Sequence, residues 1–428
     1  MLINIEENKK KQRKMDLFED FNLSSQMLIS IKKLGISKPT QIQEQSIPHI
    51  MLGKDVIGES ATGSGKTLAF ACGIIEQVIP NRGLQALILT PTRELAEQVK
   101  GSLKQLSYWK YLNIISIYGG VSINPQISDL HRAEIVVATP GRLLDHLQRR
   151  TINTSKIKLL VLDEADRMFE MGFIEDVEQI IRACPVERQT LCFSATISSH
   201  VKSLANRHMI KPIEVLARKH VDPSKLKQVY YDVPKNMKLS LLVHLLQNES
   251  SGLAMVFCNT RRTVDFVVKN LRINKINAIA IHGGLSQNKR TKTMDLFNHA
   301  KTNVLVCTDV ASRGLHIEDV SHIYNYEIPK DAKDYVHRIG RTARAGEAGK
   351  AINLLCDYDH DNFSRVIREY STFSIEKLQR PYLKEIINIR SDNRNDNYRR
   401  NDTDRRDSYR GDSYRRPQRR SFSYRSRR

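Results

Sequence analysis

Two successive series of short apolar runs, separated by longer amphipathic stretches, limit the fold of this chain more than any other feature. The first series lies at residues 55–58, 86–90, 114–118, 135–138, 159–162 and 190–193. The second lies at residues 229–233, 254–257, 278–281, 304–307, 323–326 and 351–355. Runs that are apolar throughout predict parallel strands covered on both faces, with helices such as 93–106 and 143–149 between them. We therefore expect an α/β protein with two doubly wound parallel sheets in tandem.

Composition divides the chain further. Residues 1–15 form a basic extension, 16–216 the first domain, 217–227 a polar linker and 228–389 the second domain. The tail, residues 390–428, has 14 Arg against 6 Asp, a net of +8, and no Ala, Val, Leu, Ile or Met. Such a segment cannot bury a core, so we predict a disordered tail. Its arginines suit phosphate contacts and its interspersed Tyr and Phe rings suit stacking on unpaired bases, whereas a purely solubilising role is the alternative.

Charge and cysteine usage narrow the class of protein. The net charge of the 428 residues is +21, which favours an acidic partner such as nucleic acid. No apolar run is long enough for a membrane span, and the basic start lacks the apolar stretch of a secretory signal. The six cysteines are scattered without a C-x-x-C pair. This argues against a zinc site or a disulfide framework and predicts a cytoplasmic location.

Residues 60–67, Ser-Ala-Thr-Gly-Ser-Gly-Lys-Thr, follow the first apolar run and precede a helical pattern. They meet the phosphate-loop pattern G-x-x-x-x-G-K-[ST] except at its first position. Lys66 is expected to reach the β- and γ-phosphates of a nucleotide, and the Thr67 hydroxyl to bind Mg²⁺. The residues expected to surround the phosphates through the loop backbone are Ser60, Ala61, Thr62, Gly63, Ser64 and Gly65.

Paired carboxylates follow the apolar run at 159–162, in the sequence Asp163-Glu164-Ala-Asp166. One carboxylate can hold Mg²⁺ and the other can orient and deprotonate an attacking water. Alone, such a pair is as often a helix cap, but beside a phosphate loop it predicts nucleotide hydrolysis. The second half has no phosphate loop and instead carries clustered cations at 337–344. These suggest arginine fingers and a single ATP between the two domains.

Together these motifs resemble the DEAD-box ATP-dependent RNA helicases of superfamily 2, with some likeness to the RhlB-type bacterial and archaeal members. Further segments occur in the order typical of that family, at 35–43, 91–96, 119–120, 139–142, 194–196, 256–260, 287–290 and 308–314. The resemblance covers about residues 17–355. One departure is Ser60, where the family usually has Ala.

The resemblance implies two RecA-like domains and a role for each matching residue. Phe18 would stack on adenine, Gln43 would read its edge, and Gly314 would also lie at the nucleotide. Asp163 would hold Mg²⁺ and Glu164 would activate water. The implied arginine fingers are Arg341 and Arg344. The residues implied in coupling hydrolysis to domain movement are Asp166, Ser194, Thr196 and His337. The implied RNA contacts are Arg93, Gly120, Thr139, Gly141, Arg142, Thr260, Arg290, Thr308 and Asp309.

Several simpler roles stay open at this point. Gly120 and Gly141 could be ordinary turn residues, Arg142 could pair at the surface, and Arg93 could form an internal salt bridge. For the whole chain, the expected function is RNA-stimulated ATP hydrolysis that opens RNA duplexes locally. The expected partner is a single RNA strand held without sequence preference, the chain being a monomer within RNA-decay or ribosome-assembly complexes. The alternatives are an ATP-gated RNA clamp or chaperone that works through the tail, and a DNA helicase.

Overall fold

The computed structural model describes residues 17–60, 63–217, 226–249, 252–312, 317, 320–342 and 349–388. Our predictions for the extension at 1–15 and for the tail at 390–428 therefore lie outside the described residues, as does most of the linker. Within the described ranges, no helix combines the length and the apolar character needed to cross a membrane.

The first sheet has seven parallel strands in the order β3-β4-β2-β5-β6-β1-β7. The strands are β1 (Val56–Glu59), β2 (Ala86–Leu89), β3 (Ile114–Ile117), β4 (Ile135–Ala138), β5 (Leu159–Asp163), β6 (Gln189–Ser194) and β7 (Ile213–Leu216). The helices are α1 (Ser25–Lys33), α2 (Gln41–Met51), α3 (Lys66–Gln77), α4 (Arg93–Leu106), α5 (Ile123–Leu130), α6 (Pro140–Gln148), α7 (Ala165–Glu170), α8 (Ile174–Arg182) and α9 (Ser199–His208). A 3₁₀ turn, Phe18–Phe21, precedes them.

The second sheet also has seven parallel strands, in the order β10-β11-β9-β12-β13-β8-β14. The strands are β8 (Leu226–Asp232), β9 (Leu253–Phe257), β10 (Ala278–Ile281), β11 (Val304–Cys307), β12 (Val320–Asn325), β13 (Gly349–Leu355) and β14 (Ile375–Leu378). The helices are α10 (Lys238–Asn248), α11 (Arg261–Ile273), α12 (Gln287–Asn298), α13 (Asp309–Ser312), α14 (Ala332–Ile339) and α15 (His360–Glu369). A 3₁₀ turn, Lys235–Met237, leads into α10.

Each sheet separates two hydrophobic cores. In the first domain, α1–α4 cover one face and α5–α9 the other. Neighbouring residues of one strand enter opposite cores, as Ile88 and Leu87 do in β2 and as Val256 and Met255 do in β9. Both positions of the strand are therefore apolar, which explains runs without alternation. The predicted two-sheet α/β fold is confirmed.

The pattern missed the strands β7 and β14, each of which lies at one edge of its sheet. An edge strand has a neighbour on one side and buries less of its surface, so its apolar signal is weaker. Leu216 in β7 is 59% exposed, for example.

The carboxyl ends of the inner strands face the crevice where open α/β sheets bind ligands.

Candidate functional site

The phosphate loop connects β1 to α3. Gly65 has a φ of 89°, in the left-handed region that glycine adopts without strain, and α3 begins at the next residue. The buried Lys66 donates from Nζ to the carbonyl oxygen of Ser60 at 2.7 Å. The helix start and the buried ammonium thus lie where an anion would be bound. Thr67 is partly exposed at this helix start, while Ala61 and Thr62 lie outside the described residues.

The first turn of α2 and the residue before it are joined to the phosphate loop. Gln43 donates from Nε2 to the carbonyl oxygen of Gly65 at 3.0 Å, and its Oε1 accepts from the Thr40 amide at 2.9 Å. The Thr40 hydroxyl donates to the carbonyl oxygen of Ser64 at 2.7 Å. Gln43, predicted to read adenine, therefore lies against the loop. Phe18 is 4% exposed and packs edge-on against Phe21, with ring centroids 5.8 Å apart.

A hydroxyl pair closes the same loop, because Ser60 Oγ and Ser64 Oγ are 2.7 Å apart. We expect Ser60→Ala to tighten ATP binding by about 2- to 10-fold, since the loop would lose one hydrogen bond of its internally bonded form, worth about 0.5–1.5 kcal/mol. Isothermal titration with a non-hydrolysable ATP analogue measures the change.

Ser64→Ala removes the same bond from the other side and is the matched control. The double variant should bind no more tightly than either single variant, because both lose one shared interaction. An unchanged dissociation constant for Ser60→Ala would contradict the prediction.

The acidic pair lies at the carboxyl end of β5. Burial, followed by the nearby charge of Glu164, raises the pKa of Asp163 to about 7. Burial alone would also raise the pKa of Glu164, but the charges of Arg167 and Lys66 outweigh it and lower the pKa below its usual range. Glu164 has a φ of 53° and forms a buried ion pair with Arg167. The pKa values of the two adjacent carboxyl groups are therefore shifted in opposite directions, upward for Asp163 and downward for Glu164.

One oxygen of the acidic pair fits a cation. Asp163 Oδ1 is buried and has no hydrogen-bond partner among the residues that the structure describes. In the same ranges, no three His, Cys, Asp or Glu side chains converge as a metal cluster. Mg²⁺ characteristically uses one or two protein oxygens and takes its other ligands from phosphates and water. The unpaired oxygen of Asp163, at the end of β5 and within reach of the charge of Lys66 from the phosphate loop, suits that mode of binding.

A hydrogen-bond network links the acidic segment to the end of β6. Asp166 Oδ2 accepts from the Thr196 amide at 2.9 Å and from the Thr196 hydroxyl at 3.0 Å. The Asp166 amide donates to Ser194 Oγ at 3.2 Å. Three of the four predicted coupling residues are thus brought together. The fourth, His337, has its Nδ1 3.9 Å from Asp334 Oδ1.

A cation of the second domain acts on the acidic pair of the first. Arg341 is 3% exposed, and its charge contributes to the lowered pKa of Glu164. Arg341 follows α14 and Glu164 follows β5, so a charge of the second domain acts on a carboxylate of the first. The other residues predicted here from the second domain, Gly314 and Arg344, lie outside the described residues.

In the first domain, the predicted RNA residues lie beyond the carboxyl ends of β2, β3 and β4. The guanidinium of Arg93 lies so close to Gly120 that an added Cβ would be 2.1 Å from Nη1. Arg142 donates to the carbonyl oxygen of Val121 at 3.0 Å. Thr139 precedes α6, in which Gly141 and Arg142 lie in the first turn. These three segments lie at the carboxyl edge of the first sheet.

In the second domain, the predicted RNA residues follow β9, β10 and β11. Thr260 caps α11 by accepting from the Thr263 amide at 3.1 Å. Arg290 lies in α12, and its Nε is 2.9 Å from Glu94 Oε1 of the first domain. Thr308 and Asp309 follow β11, and Thr308 is 8% exposed. The predicted RNA residue Arg290 is therefore in contact with Glu94 of the first domain, the neighbour of Arg93 in the sequence.

Two contributors, Arg167 and Glu94, were given no role in our sequence prediction. A third, Arg338, was counted only among the clustered cations at 337–344. Arg338 holds the carboxylate of Asp309 with two bonds, Nε to Oδ1 and Nη2 to Oδ2, each 2.6 Å. Asp309 was predicted to contact RNA, yet in the structure its carboxylate is engaged by Arg338. The available signal was the place of Arg338 within the cation cluster at 337–344, because a member of that cluster that is buried needs a partner.

These contacts define the class: a nucleotide hydrolase built from two RecA-like domains. Two family models match, described as DEAD/DEAH box helicase over residues 40–204 and Helicase conserved C-terminal domain over residues 237–346. A DEAD-box ATP-dependent RNA helicase, CshA of Bacillus licheniformis, is 42% identical over 373 residues, which are 86% of this chain and 76% of that protein. An ATP-dependent RNA helicase CshA of Listeria monocytogenes is 42% identical over 370 residues, covering 86% and 71%.

Solved structures agree with these matches. Dbp5 of S. cerevisiae bound to RNA and ADP BeF₃ has a TM-score of 0.77 at 29% identity, covering 85% of this chain and 96% of that chain. A DEAD box protein from Methanococcus jannaschii has a TM-score of 0.53 at 41% identity, covering 85% and 99%. The chain belongs to the DEAD-box ATP-dependent RNA helicases.

Proposed function

We propose that this helicase hydrolyses one ATP between its two domains and uses the cycle to open RNA duplexes locally. The observation that carries the proposal is the contact between the domains, in which Glu94 of the first bonds to Gln287 and Arg290 of the second. In this arrangement the charge of Arg341 also acts on the Glu164 carboxylate. A site completed by both domains is formed only when they close, so hydrolysis and domain closure depend on each other.

Each group at the nucleotide site has a proposed task. The phosphate loop with Lys66 binds the phosphates, Glu164 orients and deprotonates the attacking water, and Arg341 offsets charge on the transferred phosphoryl group. Asp163 and Thr67 are the residues that would hold Mg²⁺, which when bound neutralises charge on the β- and γ-phosphates. Arg344 is proposed as a second finger.

Gln43 and Phe18 have a proposed role at the base of the nucleotide. In the structure, the side-chain amide of Gln43 donates to the Gly65 carbonyl oxygen. We infer that this side-chain amide rotates towards adenine when ATP binds. Because Gln43 and Lys66 are both bonded to the loop itself, ATP binding exchanges internal bonds for bonds to the ligand. Gly314 completes the proposed nucleotide contacts.

RNA is proposed to lie across the carboxyl edges of both sheets. Arg93 and Arg142 of the first domain supply cations, and Arg290 of the second adds another. Backbone groups at helix starts, as at Thr139 and Thr260, add phosphate contacts without reading bases. Such contacts hold a single strand without sequence preference, and a bend imposed on that strand separates its partner.

The proposal is tested by phosphate release with RNA and with DNA of the same sequence. We expect RNA to stimulate hydrolysis and DNA to leave it near the basal rate, with release of the shorter strand from a short RNA duplex. Lys66→Ala provides the inactive control. Equal stimulation by DNA would contradict the proposal and favour a DNA helicase.

The tail is proposed to add general RNA affinity. Removing residues 390–428 should weaken RNA binding and reduce the dependence of log K on log salt by about 0.7 for each phosphate that the tail neutralises, with basal ATPase little changed. Fluorescence anisotropy at several salt concentrations measures both quantities. An identical salt slope for the shortened chain would exclude the tail as an RNA-binding arm.

We further infer a monomeric, cytoplasmic protein that works in RNA-decay or ribosome-assembly complexes. The scattered cysteines support the location, since all six are buried and unpaired. Co-purification from cells followed by identification of the bound RNA separates the two kinds of complex.

A further inference from the structure

The two sheets have the same topology, strand for strand. The second sheet repeats the strand order of the first, with every strand number increased by seven. Strand β8 therefore corresponds to β1, β12 to β5 and β13 to β6. Because β1, β5 and β6 surround the phosphate loop, the ends of β8, β12 and β13 mark the equivalent place in the second domain.

A buried lysine occupies both places. Lys66 begins α3 after β1, and Lys238 begins α10 after β8. Their exposed fractions are 6% and 3%. Lys238 Nζ lies 3.7 Å from Sγ of Cys356, which follows β13, and 5.4 Å from the ring centroid of Tyr326, which follows β12. The second domain thus retains the cation of a phosphate site without the glycine-rich loop.

A carboxylate fills the space in front of this lysine. Asp359 Oδ2 is 2.5 Å from Lys238 Nζ and accepts from the Cys356 amide at 3.1 Å and from the Cys356 thiol at 3.1 Å. Oδ1 accepts from the Ile328 amide at 3.1 Å. An ammonium together with converging backbone N–H groups is the set of donors that phosphate sites use. Here an internal anion receives them.

The carboxylate is ionised at neutral pH. Asp359 is 5% exposed, and burial alone would raise its pKa. The charge and hydrogen bond of Lys238 outweigh burial and lower the pKa below its usual range. The lysine of the second domain is therefore already neutralised from within.

We propose that the second domain contains an oxyanion site, built on Lys238, that the Asp359 carboxylate occupies in place of a phosphate. Together with the missing glycine-rich loop, this internal occupant keeps the second domain from binding a nucleotide of its own. Removing the carboxylate should uncover a site for small oxyanions such as inorganic phosphate. The inference does not depend on helicase activity, since it concerns binding in one domain.

The test compares thermal stability in inorganic phosphate and in sodium chloride of equal ionic strength. In chloride, Asp359→Ala should melt at a lower temperature than the wild-type chain, because it leaves a buried ammonium unpaired. Phosphate should raise the melting temperature of this variant saturably, and by more than it raises that of the wild-type chain. Phosphate bound at Lys66 is common to both proteins and cancels in the comparison.

The variant Lys238→Met/Asp359→Ala lacks the cation and is the matched control, so its response should equal that of the wild-type chain. If Asp359→Ala responds no more than the wild type, or no more than this double variant, the proposal is overturned. Should the Ala variant aggregate, Asp359→Asn keeps the side-chain volume and is titrated in the same way. Two nucleotides bound per wild-type chain would likewise overturn it.

Discussion

Glu164→Gln should lower the rate of ATP hydrolysis by about 10²- to 10⁴-fold, the usual contribution of a positioned general base. The amide keeps the shape of the side chain but cannot accept a proton from water. Because Lys66 and the phosphate loop are untouched, ATP and RNA should still bind. Single-turnover phosphate release measures the rate, and a fluorescent ATP analogue measures the binding.

The control is Glu175→Gln, since Glu175 is exposed in the next helix and its removal should leave hydrolysis unchanged. The same variant separates the helicase from the RNA clamp. Strand separation that stops in Glu164→Gln identifies an ATP-driven helicase. RNA annealing and strand exchange that continue at the wild-type rate would instead support a clamp acting through the tail.

Arg338→Met should destabilise the second domain by about 3–5 kcal/mol, the cost of leaving one member of a buried ion pair alone. The side chain is 1% exposed, and all five of its N–H groups are used. In addition to its two bonds to Asp309, Arg338 donates from Nη1 to Asn325 Oδ1 at 3.0 Å and to the Glu327 carbonyl oxygen at 2.6 Å. Its Nη2 also donates to Asn259 Oδ1 at 3.0 Å. Urea denaturation measures the loss.

Arg338→Lys should lose less, because the charge remains while most of the planar set of donors is absent. Arg365→Met, at an exposed position, is the control and should stay near the wild-type stability. If Arg338→Met loses no more free energy of unfolding than this control, the Arg338–Asp309 ion pair contributes nothing to stability. RNA-stimulated ATPase should fall as well in Arg338→Met, since Arg338 positions the segment that carries Thr308 and Asp309.

Much of the fold was predictable because its signals are local. An apolar run and a helical period arise from consecutive residues, and α4 was predicted with its observed limits, Arg93–Leu106. The edge strands β7 and β14 were missed because they bury less surface. The phosphate loop was equally accessible, since its eight residues are contiguous and its chemistry follows from their types and order.

The partners of the site residues were less accessible. Asp309 matched a motif segment, so it was assigned to RNA, but its carboxylate is bonded to Arg338, 29 residues away. Glu94 contacts Gln287 across 193 residues, and nothing in either segment indicates the other. Such pairs depend on which strand ends are neighbours, and strand order is set by the packing of the whole sheet.

The sequence by itself determined that the chain has two α/β domains, a phosphate loop at Lys66 and an acidic pair at Asp163, because each feature is encoded in adjacent residues. Only the tertiary structure decided how charges pair. In the folded chain, the carboxylate of Asp359, which lies 121 residues after Lys238, neutralises the buried Lys238 ammonium. The physical reason is that a buried charge must be neutralised where the fold places it, and the fold, not the chain order, chooses its neighbour.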